Sequence, residues 1–348
     1  MDTNQTSQRC KAPRMMQAGN LKTDFKLDLA NLLKQRLAEA GILHDHSMDV
    51  SSLASRYYEM MERRIIATPR RVHFSREIHD SLGKLAREAN PIKRRRALEA
   101  WRTAFYIHRL LEEGENVVRF LSKKVQTLTS MDGILWDYGL HHLHLNRKVG
   151  PSGFVERSDY LLFAHITQES AYFVDVRLHP QAQGLGWVQQ DLLEIARSNW
   201  PELIESKILR GVSGTILTDQ EKQTLRRKRI NHVMQAGDNA IAPIGGGMMM
   251  DGSSTLCRLF GMKLMHEIDC HQHYFDSPPS ELLSQLEAKG VEIANGVQFQ
   301  LAPLDILDLS IDVISSLQGD DCLSRDLCRM GFVIVESTKS LPIVVRLE

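Results

Sequence analysis

The chain has 348 residues, which is enough for two or three folding units rather than one compact core. Its 43 basic residues balance its 43 acidic residues, so no overall positive field favours nucleic acid, and any such partner must be held by a local patch. The five cysteines are scattered and odd in number, and no apolar run approaches the ~20 residues that cross a bilayer. These features predict a cytoplasmic protein with reduced thiols and no membrane partner.

The N-terminal third of the chain is predicted to be helical. Residues 1–20 are polar and lack periodicity, which predicts a disordered tail. Residues 21–128 carry apolar side chains at three- and four-residue steps, and Pro91 stands where a first-turn proline opens a helix. That helix begins with a basic run at residues 93–96, and such runs are usually solvated helix faces. A further short helix is predicted at residues 116–125, and the whole helical unit carries no catalytic signature.

The character of the sequence changes near Met131, and residues 129–212 are predicted to form an antiparallel sheet unit. Residues 140–145, 160–166 and 171–178 are rich in aromatic and β-branched side chains. A polar link at 167–170 joins the last two segments, which predicts a hairpin.

Residues 213–348 are predicted to form a C-terminal α/β region, in which helical and strand patterns alternate. These include strands at 297–301 and 332–336 and a helix at 304–317. Thr218 is the expected N-cap of a helix, and a hairpin is expected around Gly237. Three glycines at 245–247 join a strand to a helix but lack the lysine and hydroxyl residue of a phosphate-binding loop, so a turn is the favoured interpretation. The predicted fold class of the whole chain is therefore α+β.

The most informative chemistry lies in the sequence Leu140-His141-His142-Leu143-His144, since imidazole exchanges protons near neutrality and also binds metals. If this segment is a strand, alternation places His142 and His144 on one face and His141 on the other, with Leu143.

The second strand of the predicted hairpin extends this site. Phe173, Asp175, Arg177 and His179 are expected to share one of its faces. Pairing of the strands is therefore expected to bring Arg177 and His179 close to His142 and His144.

These groups are suited to RNA cleavage through the 2′-hydroxyl, in which an imidazole removes a proton, another group protonates the leaving oxygen, and arginine offsets charge on the phosphate. His142 and His144 are the predicted proton-transfer groups, and His179 a second acid/base or orienting group. Arg157 and Arg177 are the predicted phosphate contacts. The predicted substrate-binding residues are Tyr138, which could stack on a base, His141 and Lys148. No metal or other cofactor is predicted.

Two alternatives remain open from the residues alone. A His-x-His strand can chelate zinc or iron, with His179 as a third ligand, which would make the chain a metal-dependent hydrolase. The histidines could also be satisfied polar residues at a sheet edge in a protein that only binds partners.

The order of elements from Asp137 to His179 resembles that of the RelE-like bacterial toxins, which are small mRNA-cleaving ribonucleases. A polar loop with Arg157, a strand with Leu161-Leu162-Phe163, and an aliphatic strand ending at His179 carry this resemblance. It implies a barnase/RelE-type curved sheet, with Arg157, Arg177 and His179 as catalytic groups. It covers under a fifth of the chain, and because such toxins are much shorter, the flanking regions are expected to be additions.

The segment from Gly139 to Leu145 is also similar to one in larger bacterial phage-defence proteins, including toxins encoded beside reverse transcriptases, as in retrons. Together these resemblances imply a toxin-like endoribonuclease of a toxin–antitoxin or antiviral system. RNA would be its substrate, and a neutralising antitoxin its partner.

Overall fold

The computed structural model describes residues 21–42, 47–126, 131–179, 190–293, 296–303, 327, 330–337 and 341–343. The predicted disordered tail, residues 1–20, lies outside these residues. The chain has the predicted α+β class and divides into a unit of residues 33–262 and a second unit that combines residues 1–32 and 263–348. No helix in the described part of the chain is long and apolar enough to span a membrane.

The helices and strands alternate along the chain. The helices are α1 (Phe25–Glu39), α2 (Val50–Arg63), α3 (Arg76–Ala86), α4 (Pro91–Glu112), α5 (Gly133–Tyr138), α6 (Gln190–Asn199), α7 (Glu202–Glu205), α8 (Asp219–Arg227), α9 (Thr255–Asp276) and α10 (Ser280–Ala288). The strands are β1 (Leu21–Lys22), β2 (Arg71–Phe74), β3 (Leu140–His144), β4 (Tyr160–Ile166), β5 (Ser170–Leu178), β6 (Met234–Ala236), β7 (Asn239–Ile241), β8 (Val297–Pro303), β9 (Phe332–Glu336) and β10 (Leu341–Pro342).

Most helix starts are determined by local capping. The side chains of Asp49 and Ser75 accept backbone N–H bonds at the first turns of α2 and α3. Thr218 caps α8 as predicted and forms a reciprocal capping box with Glu221. The helix predicted near residues 116–125 is instead two short 3-10 turns.

The larger unit is built on a four-stranded sheet in the order β2-β5-β4-β3. Strands β3, β4 and β5 are antiparallel as predicted, whereas β2 pairs parallel to β5 and was not predicted. One face packs on α3 and α4 through Leu143 and Leu162, and the other packs on α5, α6 and the β6–β7 hairpin through Leu161 and Phe163. Both faces of this sheet are therefore covered, and β3 is an edge strand of the sheet within the described part of the chain.

A β-bulge in β5 changes the predicted face assignment. Phe163 pairs with Asp175, but the next residue, Ala164, pairs with Phe173, so Val174 is the extra residue. Phe173 consequently packs on the α3–α4 side, whereas Arg177 pairs with Leu161, which faces the opposite side. The prediction that Phe173 and Arg177 share a face is therefore wrong.

The glycine-rich loop before α9 is a turn, as favoured from the sequence. Gly246 and Gly247 have φ angles of 83° and 78°, which glycine adopts without strain. Their N–H groups donate to Pro243 O and Trp136 O. These donors are therefore already used within the fold rather than directed at a phosphate.

The second unit contains a sheet in the order β1-β8-β9-β10. Strand β1 is parallel to β8, and the remaining pairs are antiparallel. Phe25, Phe275 and Phe299 form edge-to-face ring contacts with centroids 5.4 and 5.0 Å apart. The strands predicted at 297–301 and 332–336 are present, while the helix predicted at 304–317 lies outside the described residues.

Candidate active site

Three of the predicted catalytic histidines converge at the β3 edge of the larger sheet. His142 and His144 pair with Phe163 and Leu161, so they lie on the same face of β3. His179 follows the end of β5, and its backbone N–H donates to Asp159 O over 2.6 Å. The rings of His144 and His179 stack with centroids 5.5 Å apart and an interplanar angle of 20°. We call His142, His144 and His179 the histidine cluster.

His144 is the most buried member of the cluster and is 5% exposed. Its pKa is lowered to about 3, chiefly by burial and also by the neighbouring His142, His179 and Arg157. Its Nδ1 lies 3.5 Å from Ser158 Oγ, the outer limit of a hydrogen bond. His144 is therefore a neutral ring near pH 7 that supports the ring of His179.

His142 is also held in its neutral form. Burial lowers its pKa, with smaller lowering effects from His179 and Lys124 and an opposing effect from the Asp132 carboxylate. A general base must be unprotonated at the start of the reaction, so the lowered pKa gives His142 the protonation state that this role requires.

The two predicted phosphate-binding arginines differ in their surroundings. Arg157 is exposed in the loop before β4 and is close enough to lower the pKa of His144. The side chain of Arg177 is only 17% exposed, and it donates to Asp175 over 2.9 Å and to Asp191 over 2.8 Å. Arg157 is thus the accessible cation of the cluster, while the charge of Arg177 is already compensated by two carboxylates.

Two of the predicted substrate-binding residues are buried away from the cluster. His141 is 9% exposed on the opposite face of β3, where its Nε2 lies 3.1 Å from Glu62 O and burial lowers its pKa to about 4. Tyr138 is 2% exposed within the core near Arg226. Neither ring has an open face for a nucleobase, so their placement contradicts the predicted contact.

Lys148 lies on the surface, where it forms an ion pair with Glu156 over 2.7 Å. Its side chain is 73% exposed, so the pair is solvated and easily exchanged. Its role in substrate binding remains a prediction.

Three residues near the cluster were not predicted from the sequence, namely Lys124, Asp132 and Ser158. Lys124 belongs to a 3-10 turn, and Asp132 is the N-cap of α5. Local patterns explain these positions as turn and cap residues, and only the fold brings them near His142 and His144. Of these three, only Ser158 could have been noticed from the sequence, because it follows the predicted phosphate contact Arg157.

The metal-binding alternative finds no geometric support in the residues that the structure describes. No three His, Cys, Asp or Glu side chains among them are grouped so that they could hold a metal ion. No protein-family model, curated protein or solved structure matches this chain. Any function of this chain must therefore be inferred from the geometry of the histidine cluster.

Proposed function

We propose that this protein is a toxin-like endoribonuclease that cleaves RNA by metal-independent acid/base catalysis. The observation that carries the proposal is the convergence of a neutral His142, a stacked pair of His144 and His179, and the exposed Arg157 at one sheet edge. Imidazoles with burial-shifted pKa values beside a cation are typical of proton-transfer sites.

The cluster supports a complete reaction. His142 accepts the proton of a ribose 2′-hydroxyl, and the resulting oxygen attacks the adjacent phosphorus. The 5′-oxygen leaves and takes a proton from His179, which yields a 2′,3′-cyclic phosphate and a 5′-hydroxyl. Arg157 stabilises the additional negative charge on the phosphoryl oxygens in the transition state.

For His144 we propose a role different from the one predicted from the sequence. With a pKa near 3 it is not protonated at neutral pH, so it cannot serve as the general acid. We assign it as the residue that positions His179 through ring stacking.

The central experiment compares wild-type protein with His142→Ala and His179→Ala on single-stranded RNA in the presence of EDTA. Each substitution removes a proton-transfer group, so cleavage should fall by about 10²- to 10⁴-fold. Exposed His273 in α9 provides the control, and His273→Ala should cleave as the wild type does.

Two results would contradict the proposal. Equal cleavage by the wild type and His142→Ala would exclude His142 as the base. Cleavage that EDTA abolishes and zinc restores would favour the metal-dependent hydrolase instead.

The pH dependence of cleavage gives a second prediction. Protonation of His142 inactivates the base, and its pKa is lowered from 6.5. The acidic limb of kcat/KM is therefore expected to have its midpoint below pH 6.5. An acidic midpoint at or above pH 6.5 would show that another group is the base.

A toxic ribonuclease requires a neutralising partner in the cell that makes it. We therefore propose that expression of the wild type alone arrests bacterial growth, whereas the double variant His142→Ala/His144→Ala does not. Identical growth of the two strains would favour a partner-binding protein without catalytic activity.

A further inference from the structure

Helix α4 presents basic side chains on its outward face. Arg94, Arg95 and Arg102 are exposed, and their spacing places them on one side of the helix, away from the buried Ala97 and Ala104. Among the described residues, no carboxylate lies within ion-pair distance of these three guanidinium groups, although ion pairs are detected for Arg96 and Arg109 on the same helix. Their positive charges are therefore available to a ligand.

Aromatic rings lie beside these arginines. The centroids of Trp101 and Phe105 are 5.0 Å apart, those of Phe105 and Phe74 are 6.2 Å apart, and those of Phe74 and His79 are 5.7 Å apart. Phe105 is 41% exposed and His79 is also exposed. We call these four rings the ring series. It extends from the middle of α4 to the end of β2 and the first turns of α3.

The start of α4 is connected to the candidate active site. Arg96 Nη1 lies 2.8 Å from Asp159 Oδ2, and Asp159 O accepts the backbone N–H of His179. The basic end of α4 therefore lies near the backbone of His179, while the helix itself packs on the sheet face opposite to His142 and His144. A ligand bound along this helix would have one end near His179.

The charge and the rings together favour one kind of ligand. An apolar protein partner would leave three unpaired guanidinium groups to be desolvated, which is costly. A single-stranded nucleic acid satisfies both features, because its phosphates pair with arginine and its unstacked bases pack on exposed rings. The two carboxylates at the C-terminal end of α4 each contact a basic side chain, Glu112 with His108 and Glu113 with Arg109.

We propose that the outward face of α4 and the ring series form a single-stranded RNA-binding surface that delivers the strand to the histidine cluster. The choice of RNA rests on the proposed ribonuclease function. Bases stack on Phe105 and its neighbouring rings, and Arg94, Arg95 and Arg102 contact the phosphates.

The test measures binding of a fluorescein-labelled 12-nucleotide single-stranded RNA by anisotropy, using the full chain with His179→Ala to prevent cleavage. Adding Phe105→Leu keeps an apolar side chain but removes the ring, so the dissociation constant should rise about fivefold or more, given a stacking contribution of ~1–3 kcal/mol per base. Adding Arg102→Ala should weaken binding and reduce the slope of log K against log salt concentration by about 0.7.

Matched controls test whether the effect is local. Phe260→Leu changes another exposed phenylalanine, and Arg210→Ala changes another exposed arginine, both outside this surface. Neither should alter the dissociation constant. The same RNA annealed to its complement should bind more weakly and should respond little to Phe105→Leu, because paired bases are not available for stacking.

Two outcomes would overturn the inference. One is unchanged binding in both the Phe105→Leu and Arg102→Ala variants. The other is the absence of RNA binding by the parent protein, which would leave protein docking as the use of this surface. Cleavage is measured separately with an intact His179, so strand binding without cleavage would refute the proposed function while leaving the binding surface supported.

Discussion

Burial lowers the pKa values of the histidines in β3. His141 and His144 are two of the three histidines in the β3 segment, and burial lowers their pKa values to about 4 and about 3. His141 lies on the α2 side of the sheet and His144 on the side of His179. The same residue type therefore has different surroundings at the two positions: His141 packs internally, and His144 stacks on the ring of His179, which it positions in the proposed mechanism.

The lowered pKa of His141 predicts a pH-dependent stability. The unfolded chain binds a proton on this ring near pH 6.5, but the folded chain binds it only near pH 4, so the stabilising contribution is complete above pH 6.5 and is lost as the pH falls toward 4. The shift corresponds to about 3 kcal/mol of unfolding free energy. The free energy of unfolding, measured with urea, should therefore change less between pH 7 and pH 5 in His141→Gln than in the wild type.

Buried carboxylates near His141 also make the stability depend on pH, so the variant must be compared with the wild type. Burial raises the pKa values of Glu59 and Glu62, and a raised carboxyl pKa favours the folded state as the pH falls. These groups are common to both proteins and cancel in the difference. The same substitution at exposed His273 controls for the loss of a histidine as such, and an equal pH response in both variants would contradict the prediction.

Where the backbones of two elements lie close together, a side chain larger than that of glycine is not tolerated. The glycine-rich turn before α9 passes against α5. A Cβ on Gly245 would clash with the backbone there, at Leu135 O and at Trp136 Cα, the latter only 2.7 Å away. Because these are backbone atoms, they cannot move aside as a flexible side chain can. The glycine is therefore required by packing and not by an unusual φ angle.

Gly245→Ala should accordingly destabilise the larger unit by about 3 kcal/mol or more, since overpacking against rigid atoms is among the costly substitutions. Gly150→Ala is the matched control, because its Cβ would meet its nearest neighbour, Phe154 O, at an ordinary 3.6 Å. Urea midpoints of the two variants provide the measurement. Similar midpoints would show that the turn can shift away from α5.

The whole sheet depends on segments that are far apart in the chain. Residues 71–74 form β2, which pairs with β5, and the helices that follow cover one sheet face. Leu143, Leu162 and Ala164 on that face pack in the same hydrophobic cluster as Ala100 and Ile107 of α4. The sheet region and the preceding helices therefore share one core.

This shared core predicts how fragments behave. A fragment of residues 129–212 lacks β2, α3 and α4, so it should expose an apolar sheet face, bind a hydrophobic dye and unfold without cooperativity. A fragment of residues 33–262 retains this core and should show a cooperative urea transition. Cooperative unfolding of the shorter fragment would refute the shared core.

The candidate site could be predicted in part from the sequence. Alternation along β3 correctly places His142 and His144 together and His141 on the other face, because side-chain direction in a strand depends only on position. The hairpin of β4 and β5 and the cap at Thr218 were also predictable, since turns and caps are governed by neighbouring residues.

The remaining features depend on tertiary structure. Because of the bulge at Val174, Phe173 and Arg177 face opposite sides of the sheet instead of the same side. Asp191, which forms an ion pair with Arg177, belongs to α6. Burial of Tyr138 and the lowered pKa of His144 likewise arise from surrounding segments. Local periodicity specifies which side of a strand a residue occupies. Only packing between distant segments decides whether that side is open to a substrate and which charges meet there, because burial and ion pairing are set by groups far away in the sequence.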